Sequence, residues 1–579
     1  MSSSADESAS ARSLEGAAAS DAAPYGPVPL EVDGWTFGRF VDEIAARFGP
    51  LPAMAASDRS SGTDGLRRWS YEEMGQDVLA LQWGLMETGV APGDRVGVML
   101  SSVPEWVLYL FAIARLGAAF MPINTRFRSR ELHHVLSHSG SSALVATGSY
   151  LGHDYTATIA EAAGERGAGG RHAGLPALRT LIGVGPAPGP GALDTADLLR
   201  RGRALLAERG APPREDDPSA IAILFYTSGT TSFPKGVPLT HANLLPHSVR
   251  AGGLARLRPG EKVLTLYPFF GISGGANKVL STFGSGACLV FQDAYRAAEA
   301  CDLMWAEGCT VVHGVDVQIR ELAAEQRRRG GGPPPERRAT IAFTAGIDEG
   351  LARAMGEVLG IRRFIHSYGM TETNPMILRN ELDDPFDVCL KAGGRIAPGV
   401  EVRVVDPDTG VPRKPGEEGE IVVRGPTVAQ GYYRDPQATA AAFRDGWFHS
   451  GDLGVATADG LVFYVGRLKD MLKVGGFNVA PQEVEETLRA HGAVADVAVA
   501  ASPDARLGEV PVAFVVPAPG AAVDPDALIA WSRDRIANFK VPRAVYLVDA
   551  LPYHTAANGS KLQRHILKQW AAERAAPAP

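Results

Sequence analysis

Features that mark several other classes of protein are scarce in this chain or missing from it. The 579 residues include only four cysteines, and these form neither a CxxC pair nor a zinc-finger cluster with histidine. No run of eighteen apolar residues occurs, so we expect no membrane-spanning helix. The net charge of −8 lacks the basic excess that a general nucleic-acid-binding protein needs. We therefore expect a globular cytoplasmic protein that binds neither nucleic acid nor a bilayer.

The order of apolar and polar segments predicts how the chain is organised. Residues 1–30 are rich in Ser, Ala and acidic residues and are predicted to form a disordered tail. Asp94–Leu100 is typical of a buried strand and Glu105–Leu116 of an apolar helix. This alternation recurs to about residue 400, which indicates an α/β fold with much parallel sheet. The Gly-, Ala- and Pro-rich stretch Ala162–Pro218 is predicted to be mostly loop.

A change of pattern near Gly466 predicts two domains. The first would span residues 31–465 and the second residues 466–579. The second segment has helical patterns at Pro481–His491 and Pro525–Asn538 and strand patterns between them. Its length suits a small α+β domain.

One segment has the composition of a phosphate-binding loop. The strand-like run Ile221–Tyr226 leads directly into Thr227–Gly236, which reads TSGTTSFPKG. Hydroxyl side chains, glycines and backbone N–H groups in such a loop can surround anionic oxygens, and Lys235 adds a positive charge. The Walker A pattern GxxxxGK[ST] is absent, so this is not a Walker A loop, and by itself the segment could be a polar Gly/Ser turn.

Further motifs follow this loop in a fixed order. They are SYGMTET at Ser367–Thr373, GWFHSGDL at Gly446–Leu453, GRLKDMLKVGGFNVAP at Gly466–Pro481, and LPYHTAANGSKLQR at Leu551–Arg564. Each could by itself be a polar turn. Together with the loop they resemble the signatures of the adenylate-forming superfamily, which includes acyl-CoA synthetases, nonribosomal peptide adenylation domains and luciferases. The resemblance covers roughly residues 35–570, and Ser232 stands where that family usually has glycine.

The resemblance implies a fold and a set of nucleotide ligands. The fold would be a large N-terminal domain of packed α/β sheets with a β-barrel-like subdomain, followed by a small mobile α+β domain. Glu372 would hold Mg²⁺, and Asp452 would accept hydrogen bonds from both ribose hydroxyls. Catalytic roles would fall to Thr230, Lys235, Glu372 and Lys561. The full implied ATP-binding set is Thr227, Ser228, Gly229, Thr230, Thr231, Lys235, Tyr368, Gly369, Met370, Thr371, Asp452, Arg467 and Lys561.

The resemblance also implies a moving domain. Lys561 would bridge the acid and the α-phosphate, although Ser560 is an extra residue relative to the usual Gly-Lys spacing. Asp470 would be the hinge about which the C-terminal domain rotates between two half-reactions.

The acid-binding and thiol-binding segments match the family less closely. Tyr267–Asn277 has Gly271 where the family usually has histidine. The implied substrate-binding residues are Gly271, Gly275, His313, Val315, Gly346, Gly475, Gly476 and Phe477. Asn277, Asp316 and Asp348 either make one wall of the pocket polar or face solvent and cap helices.

Three functions fit these motifs. The leading one is an acid–thiol ligase that uses ATP, Mg²⁺ and coenzyme A to convert a carboxylic acid to acyl-AMP and then to acyl-CoA. In the second, the acyl group passes to a carrier-protein thiol or to an amine. The third is a non-catalytic ligand-binding homologue. The presence of residues that match the family's catalytic and binding positions counts against it: Lys235, Glu372, Asp452, Arg467 and Lys561.

Overall fold

The computed structural model describes two compact units. It covers residues 30–57, 65–165, 172–227, 234–330, 341–344, 347–474, 477–504, 506–533, 535–556 and 559–575. The predicted tail therefore lies almost wholly outside the described residues. One unit runs to Val400 and includes Arg424–Gly446, and the other comprises Glu401–Val423 and the chain from Trp447 onward. The predicted domain boundary at residue 466 stays a prediction.

The helices of the described chain lie in both units. The α-helices are α1 (Phe37–Phe48), α2 (Tyr71–Glu87), α3 (Pro104–Leu116), α4 (Ser129–Ser139), α5 (Tyr155–Ala163), α6 (Thr195–Arg209), α7 (His241–Leu254), α8 (Val279–Gly284), α9 (Ala297–Ala306), α10 (Asp316–Arg328), α11 (Glu349–Ala354), α12 (Phe386–Cys389), α13 (Pro436–Ala442), α14 (Pro481–Arg489), α15 (Pro525–Arg533) and α16 (Arg564–Ala575). Two π-helical segments (Ile272–Lys278, Met355–Leu359) and two 3₁₀ segments (Leu468–Asp470, Asn538–Lys540) accompany them. Within the described residues, none of these helices has the length and apolar character needed to cross a membrane.

The strands are numbered in chain order. They are β1 (Pro52–Ser57), β2 (Leu66–Ser70), β3 (Arg95–Met99), β4 (Ala119–Pro122), β5 (Ala143–Ala146), β6 (Ser149–Tyr150), β7 (His153–Asp154), β8 (Thr180–Gly183), β9 (Leu193–Asp194), β10 (Ile221–Thr227), β11 (Lys235–Thr240), β12 (Lys262–Thr265), β13 (Cys288–Gln292), β14 (Val311–His313), β15 (Ile341–Thr344), β16 (Arg363–Met370), β17 (Asn374–Arg379), β18 (Gly393–Ile396), β19 (Glu401–Val405), β20 (Glu418–Arg424), β21 (Phe443–Arg444), β22 (Trp447–Ala456), β23 (Val462–Arg467), β24 (Leu472–Val474), β25 (Phe477–Val479), β26 (Val494–Asp504), β27 (Gly508–Pro517), β28 (Ala544–Leu547), β29 (Tyr553–Ala556) and β30 (Gly559–Leu562).

Two sheets organise the first unit. A seven-stranded sheet has the order β11-β10-β4-β3-β5-β8-β9 and is parallel except for the β10–β11 hairpin. A second sheet runs β2-β1-β13-β12-β14-β15-β16-β17-β18, with parallel pairing from β1 to β16 and antiparallel pairing at both ends. The predicted phosphate loop begins at the end of β10, and the SYGMTET motif begins within the last residues of β16, so the sheets fix where these motifs begin.

Helix α3 anchors the core of this unit. Every residue of α3 except Glu105 is buried, which the nearly continuous apolar sequence requires. Pro104 starts the helix at a position where its missing N–H costs nothing, and Gly117, with φ of 84°, ends it. The Trp106 ring lies 4.8 Å from the ring of Phe120 and 5.3 Å from that of Phe269, between centroids. This packing ties β4 to the segment that precedes the π-helix.

The second unit is a smaller α+β assembly. Strands β19-β20-β22-β23 form one sheet region, and β25-β24-β27-β26 form another with β28 beside β27. Helix α14 packs Val484 and Leu488 against the second of these sheets. Strands β29 and β30 form a separate hairpin.

The predicted mixed α/β class with a small C-terminal domain is confirmed, and so are the buried strand and helix near residue 100. One local prediction is wrong, because α15 ends at Arg533 rather than at Asn538. The described part of Ala162–Pro218 is mostly turn and loop, as predicted, but it also contains α6, a fifteen-residue helix. Helix α6 was missed because it packs through small residues: a Cβ on Gly202 would lie 1.8 Å from the Ala80 carbonyl oxygen of α2.

Candidate active site

The phosphate-loop motif begins and ends on a β-hairpin. Strands β10 and β11 pair in register, with Thr227 opposite Lys235 and Tyr226 opposite Gly236. The two strands thus hold the ends of the loop side by side. The predicted ligands Ser228, Gly229, Thr230 and Thr231 lie outside the described residues.

A second hairpin, β16–β17, carries the residues predicted to bind adenine, phosphate and metal. Tyr368, Gly369 and Met370 end β16, and Thr371 and Glu372 form the turn. A Cβ on Gly369 would lie 2.4 Å from the Asn374 carbonyl oxygen, so only glycine fits there.

The far side of this turn has an unusual backbone. Asn374 and Met376 have φ of 67° and 68°, a left-handed conformation that costs energy in residues other than glycine. Asn374 is held by its amide, which donates to the carbonyl oxygens of Asn243 at 3.1 Å and Thr427 at 2.9 Å. Such local strain, fixed by buried hydrogen bonds, is typical of functional sites.

Tyr432 connects the two hairpins. Its hydroxyl donates to Glu372 Oε1 at 3.0 Å, and the Nζ of Lys235 lies 4.9 Å from the centroid of its ring. The backbone N–H of Ala429 also donates to the Glu372 carbonyl at 2.8 Å. Burial, and then the charge of Glu372, raises the pKa of the Tyr432 phenol, which therefore remains a hydrogen-bond donor. Tyr432 was not among the residues predicted from the sequence.

Asp452 and Arg467 meet in the second unit. They are register partners on β22 and β23, and Arg467 Nε lies 3.1 Å from Asp452 Oδ1. Asp452 is 3% exposed, and its backbone N–H donates to Ser450 Oγ at 3.1 Å. A buried carboxylate with a fixed backbone is suited to accepting hydrogen bonds from a ligand.

The predicted hinge residue is part of an ion cluster. Asp470 Oδ2 lies 3.5 Å from Nε of Arg564, the first residue of α16. Arg564 also pairs with Glu485 Oε1 at 3.0 Å and donates to the Val499 carbonyl at 3.0 Å. Arg564 thus links the hinge to the core sheet of the same unit.

For four other predicted residues of this unit, the structure describes the backbone of two and leaves the other two undescribed. Lys561 lies on β30, opposite His554 on β29, and Phe477 begins β25 opposite Val474. The side chains of Lys561 and Phe477 lie outside the described part of the structure, as do Gly475 and Gly476 entirely.

The predicted acid-binding segments come together in the first unit. Gly271 precedes the π-helix Ile272–Lys278. His313 ends β14 with 1% exposure, and its ring lies 5.1 Å from that of Phe343 on β15, between centroids. Burial, and then the positive charge of Lys278, holds the pKa of His313 well below its usual value, so the imidazole is neutral.

Three further pocket predictions have different outcomes. Val315 precedes α10 and is 8% exposed, and Gly346 lies outside the described residues. Gly275 packs closely, because a Cβ there would lie 1.9 Å from the Phe269 carbonyl oxygen. Asp348 accepts a hydrogen bond from the Leu351 N–H at 2.8 Å and caps α11, so the capping alternative holds for this residue.

Lys278 is a second residue that sequence reasoning missed. Its side chain is buried, with 3% exposure of the residue, and its Nζ lies 3.9 Å from the Phe343 ring centroid. The Nζ also donates to the Met376 sulfur at 3.2 Å. The only signal in the sequence is a lysine directly before the apolar run of α8, and this does not show whether the side chain is buried.

The buried charge of Lys278 should reduce the stability of the protein in a pH-dependent way. Burial lowers the pKa of its ammonium to about 7. Between that value and the ordinary one the unfolded chain binds more protons, so stability rises with pH in this window. We expect Lys278→Met to raise the melting temperature most at about pH 6, with a gain that shrinks toward about pH 10.

Thermal unfolding of wild type and variant at both pH values measures this effect. Lys414→Met is the matched control, because Lys414 is exposed. A gain that is the same at both pH values, or a loss at the lower one, would contradict the buried charge.

Comparison with known proteins places the chain in a family. The sequence model of the AMP-binding enzyme family matches residues 41–433, and that of its C-terminal domain matches residues 483–558. Feruloyl-CoA synthase from an Amycolatopsis species is 35% identical, over 86% of this chain and 94% of its own length. Indoleacetate–CoA ligase from Aromatoleum aromaticum is 33% identical, over 84% and 90%. ATP-bound MatB from Rhodopseudomonas palustris superposes with a TM-score of 0.76 at 27% identity, over 93% of this chain and all of that one. The resemblance inferred from the motifs is confirmed, and the chain belongs to the AMP-binding enzyme family.

Proposed function

We propose that the chain is an AMP-forming acid–thiol ligase. A carboxylate oxygen of the acid attacks the α-phosphorus of ATP, the bond to the bridging oxygen breaks, and pyrophosphate leaves. The sulfur of coenzyme A then attacks the carbonyl carbon of the acyl-AMP and AMP leaves. The family match and the CoA-forming relatives bear out the activity predicted from the motifs.

The observation that carries this proposal is the joining of two hairpins through Tyr432. Lys235, at the start of β11, supplies a cation, and Glu372, in the turn after β16, supplies a carboxylate. Both contact Tyr432, and such a pair of charges suits the binding and cleavage of a metal–triphosphate. We assign Thr227, Lys235 and the loop between them to the phosphates. Tyr368 and the turn after it are assigned to the adenine and the α-phosphate.

Mg²⁺ fits Glu372 as its protein ligand. Among the residues the structure describes, no group of three or more His, Cys, Asp and Glu side chains could hold a metal alone. Mg²⁺ in nucleotide sites usually uses one or two carboxylates together with the phosphates, so one held carboxylate is enough. When bound, the ion would neutralise charge on the phosphates. Glu372 is kept in place for it by the Tyr432 hydroxyl.

The second unit supplies the remaining roles. We assign Asp452 to the ribose hydroxyls, Arg467 to the ribose or phosphate, Asp470 to the hinge and Lys561 to the reacting carboxylate and α-phosphate. The predicted transfer to coenzyme A uses Gly475, Gly476 and Phe477. A carrier protein as acceptor and the cytoplasmic location remain predictions.

Glu372 and Tyr432 give the first test of the proposal. Pyrophosphate release is measured over a panel of acids, with and without coenzyme A. Glu372→Gln should lower kcat about 10²- to 10³-fold, because a neutral amide binds the metal poorly. Tyr432→Phe removes one hydrogen bond to a charged group and should cost about 10-fold.

Tyr433→Phe is the matched control. Tyr433 follows Tyr432 in the sequence, and its backbone N–H donates to the Gly236 carbonyl at 2.8 Å. The Tyr433→Phe substitution keeps this backbone contact, so we expect kcat to stay close to the wild-type value. An equal fall in kcat in Tyr432→Phe and Tyr433→Phe would contradict the assignment of Glu372 as the Mg²⁺ ligand that Tyr432 holds in place. Absence of acid-dependent pyrophosphate release in wild type would end the proposal itself.

Lys561 separates the two half-reactions. Lys561→Ala should lower acyl-AMP formation from acid and ATP by at least about 10²-fold, since one preorganised charge contact is lost. Supplied with synthetic acyl-AMP, the variant should form the thioester at nearly the wild-type rate. Rapid-quench kinetics of each step measure both, with Lys568→Ala, an exposed lysine of α16, as control. If both steps fall equally, Lys561 does not have a role limited to adenylation.

A further inference from the structure

The Lys278 ammonium of the first unit has no anionic partner among the residues that the structure describes. The polar contact of its Nζ is a thioether sulfur, a weak acceptor, and its other neighbour is the face of Phe343. No carboxylate among the described residues acts on its pKa, which burial alone lowers. A buried cation without a counter-ion is costly, and buried charges are normally paired.

Other groups near Lys278 make the electrostatic imbalance larger. Burial, and then the positive charges of Arg379, Arg250 and Lys278, lower the pKa of His247 to about 4. Lys278 also lowers the pKa of His313. In Arg379, the Nε and Nη1 atoms are buried and have no acceptor among the described residues, although the charge of Glu381 acts on its guanidinium. Of the groups named here, His247 on α7 and His313 on β14 are neutral and Arg379 on β17 is cationic.

The position of Lys278 relates this region to the acid. It is the last residue of the π-helix that follows Gly271, and it touches Phe343, beside which His313 lies. These are the segments predicted to line the acid site. Met376, which Lys278 contacts, is four residues after Glu372, so their Cα atoms are at most about 14 Å apart. One acid molecule can therefore reach both Lys278 and a reaction site beside Glu372.

We propose that the acid substrate carries a second carboxylate and that Lys278 binds it. This inference rests on the proposed ligase function and defines the class of acid as a dicarboxylic acid. The second carboxylate provides the anion that the buried ammonium lacks, and Arg379 adds donors to the same positive region. A monocarboxylic acid of equal length would leave the charge of Lys278 buried and unpaired, so its binding should be weaker.

Matched pairs of acids test the proposal. The pairs are butanoate with butanedioate, hexanoate with hexanedioate, and benzoate with benzene-1,4-dicarboxylate, each assayed by pyrophosphate release in the full-length protein. Wild type should show a kcat/KM at least about 10-fold higher for the diacid in one or more pairs. Lys278→Met should lose about 10- to 100-fold on that diacid and little on its monoacid.

The controls separate failure of this inference from failure of the ligase function. Lys414→Met, an exposed lysine, should behave as wild type. Preference of wild type for the monoacid in every pair, or an equal loss on both members in Lys278→Met, overturns the inference while the ligase function stands.

If no acid releases pyrophosphate, the ligase proposal fails, and binding is read from melting temperature with a non-hydrolysable ATP analogue. A diacid that stabilises wild type but not Lys278→Met would still support the second-carboxylate site, and equal shifts in both proteins would overturn it.

Discussion

The hydrogen bond from the Tyr432 phenol to the Glu372 carboxylate is the contact on which the arrangement of the first unit's site depends. It joins residues 60 positions apart and brings the ring of Tyr432 under the Lys235 ammonium. Without it, the turn after β16 and the strand that leaves the phosphate loop would have no side-chain connection of this kind. A cation and a carboxylate near each other, with a neutral phenol between them, form a preorganised frame for a metal-bound triphosphate.

Other buried charges of the protein have ionic partners. Arg115 in the first unit is paired with Asp42, and Arg564 in the second unit is paired with Asp470 and Glu485. Among the described residues, the Lys278 ammonium instead contacts a sulfur and an aromatic face. Paired ions hold the structure in one arrangement, whereas an unpaired buried cation indicates that a ligand supplies the missing charge.

Local sequence was sufficient for the elements that carry the motifs. The strand before the phosphate loop and the apolar helix α3 could both be predicted, because each depends on neighbouring residues. Tyr432 and Lys278 could not. Their partners Glu372 and Met376 lie 60 and 98 positions away, so only the folded chain shows what they touch.

Composition predicted the loops of Ala162–Pro218 but not the helix that lies among them. Gly202 lies inside α6 and allows it to approach the Ala80 carbonyl of α2. A helix that packs closely through small residues has a composition like that of a loop. The two are therefore hard to tell apart from sequence when the partner helix is unknown. The order of the motifs, in contrast, does not depend on packing and identified the family correctly.

The central claim is that the acid's own oxygen attacks the α-phosphorus of ATP. Transfer of isotope from an acid labelled with ¹⁸O in its carboxylate tests this directly, in a complete reaction with ATP and coenzyme A analysed by mass spectrometry. Formation and breakdown of acyl-AMP predicts one ¹⁸O atom in the phosphate of AMP and none in pyrophosphate. Label in orthophosphate with ADP as product, or AMP without label, would contradict the account.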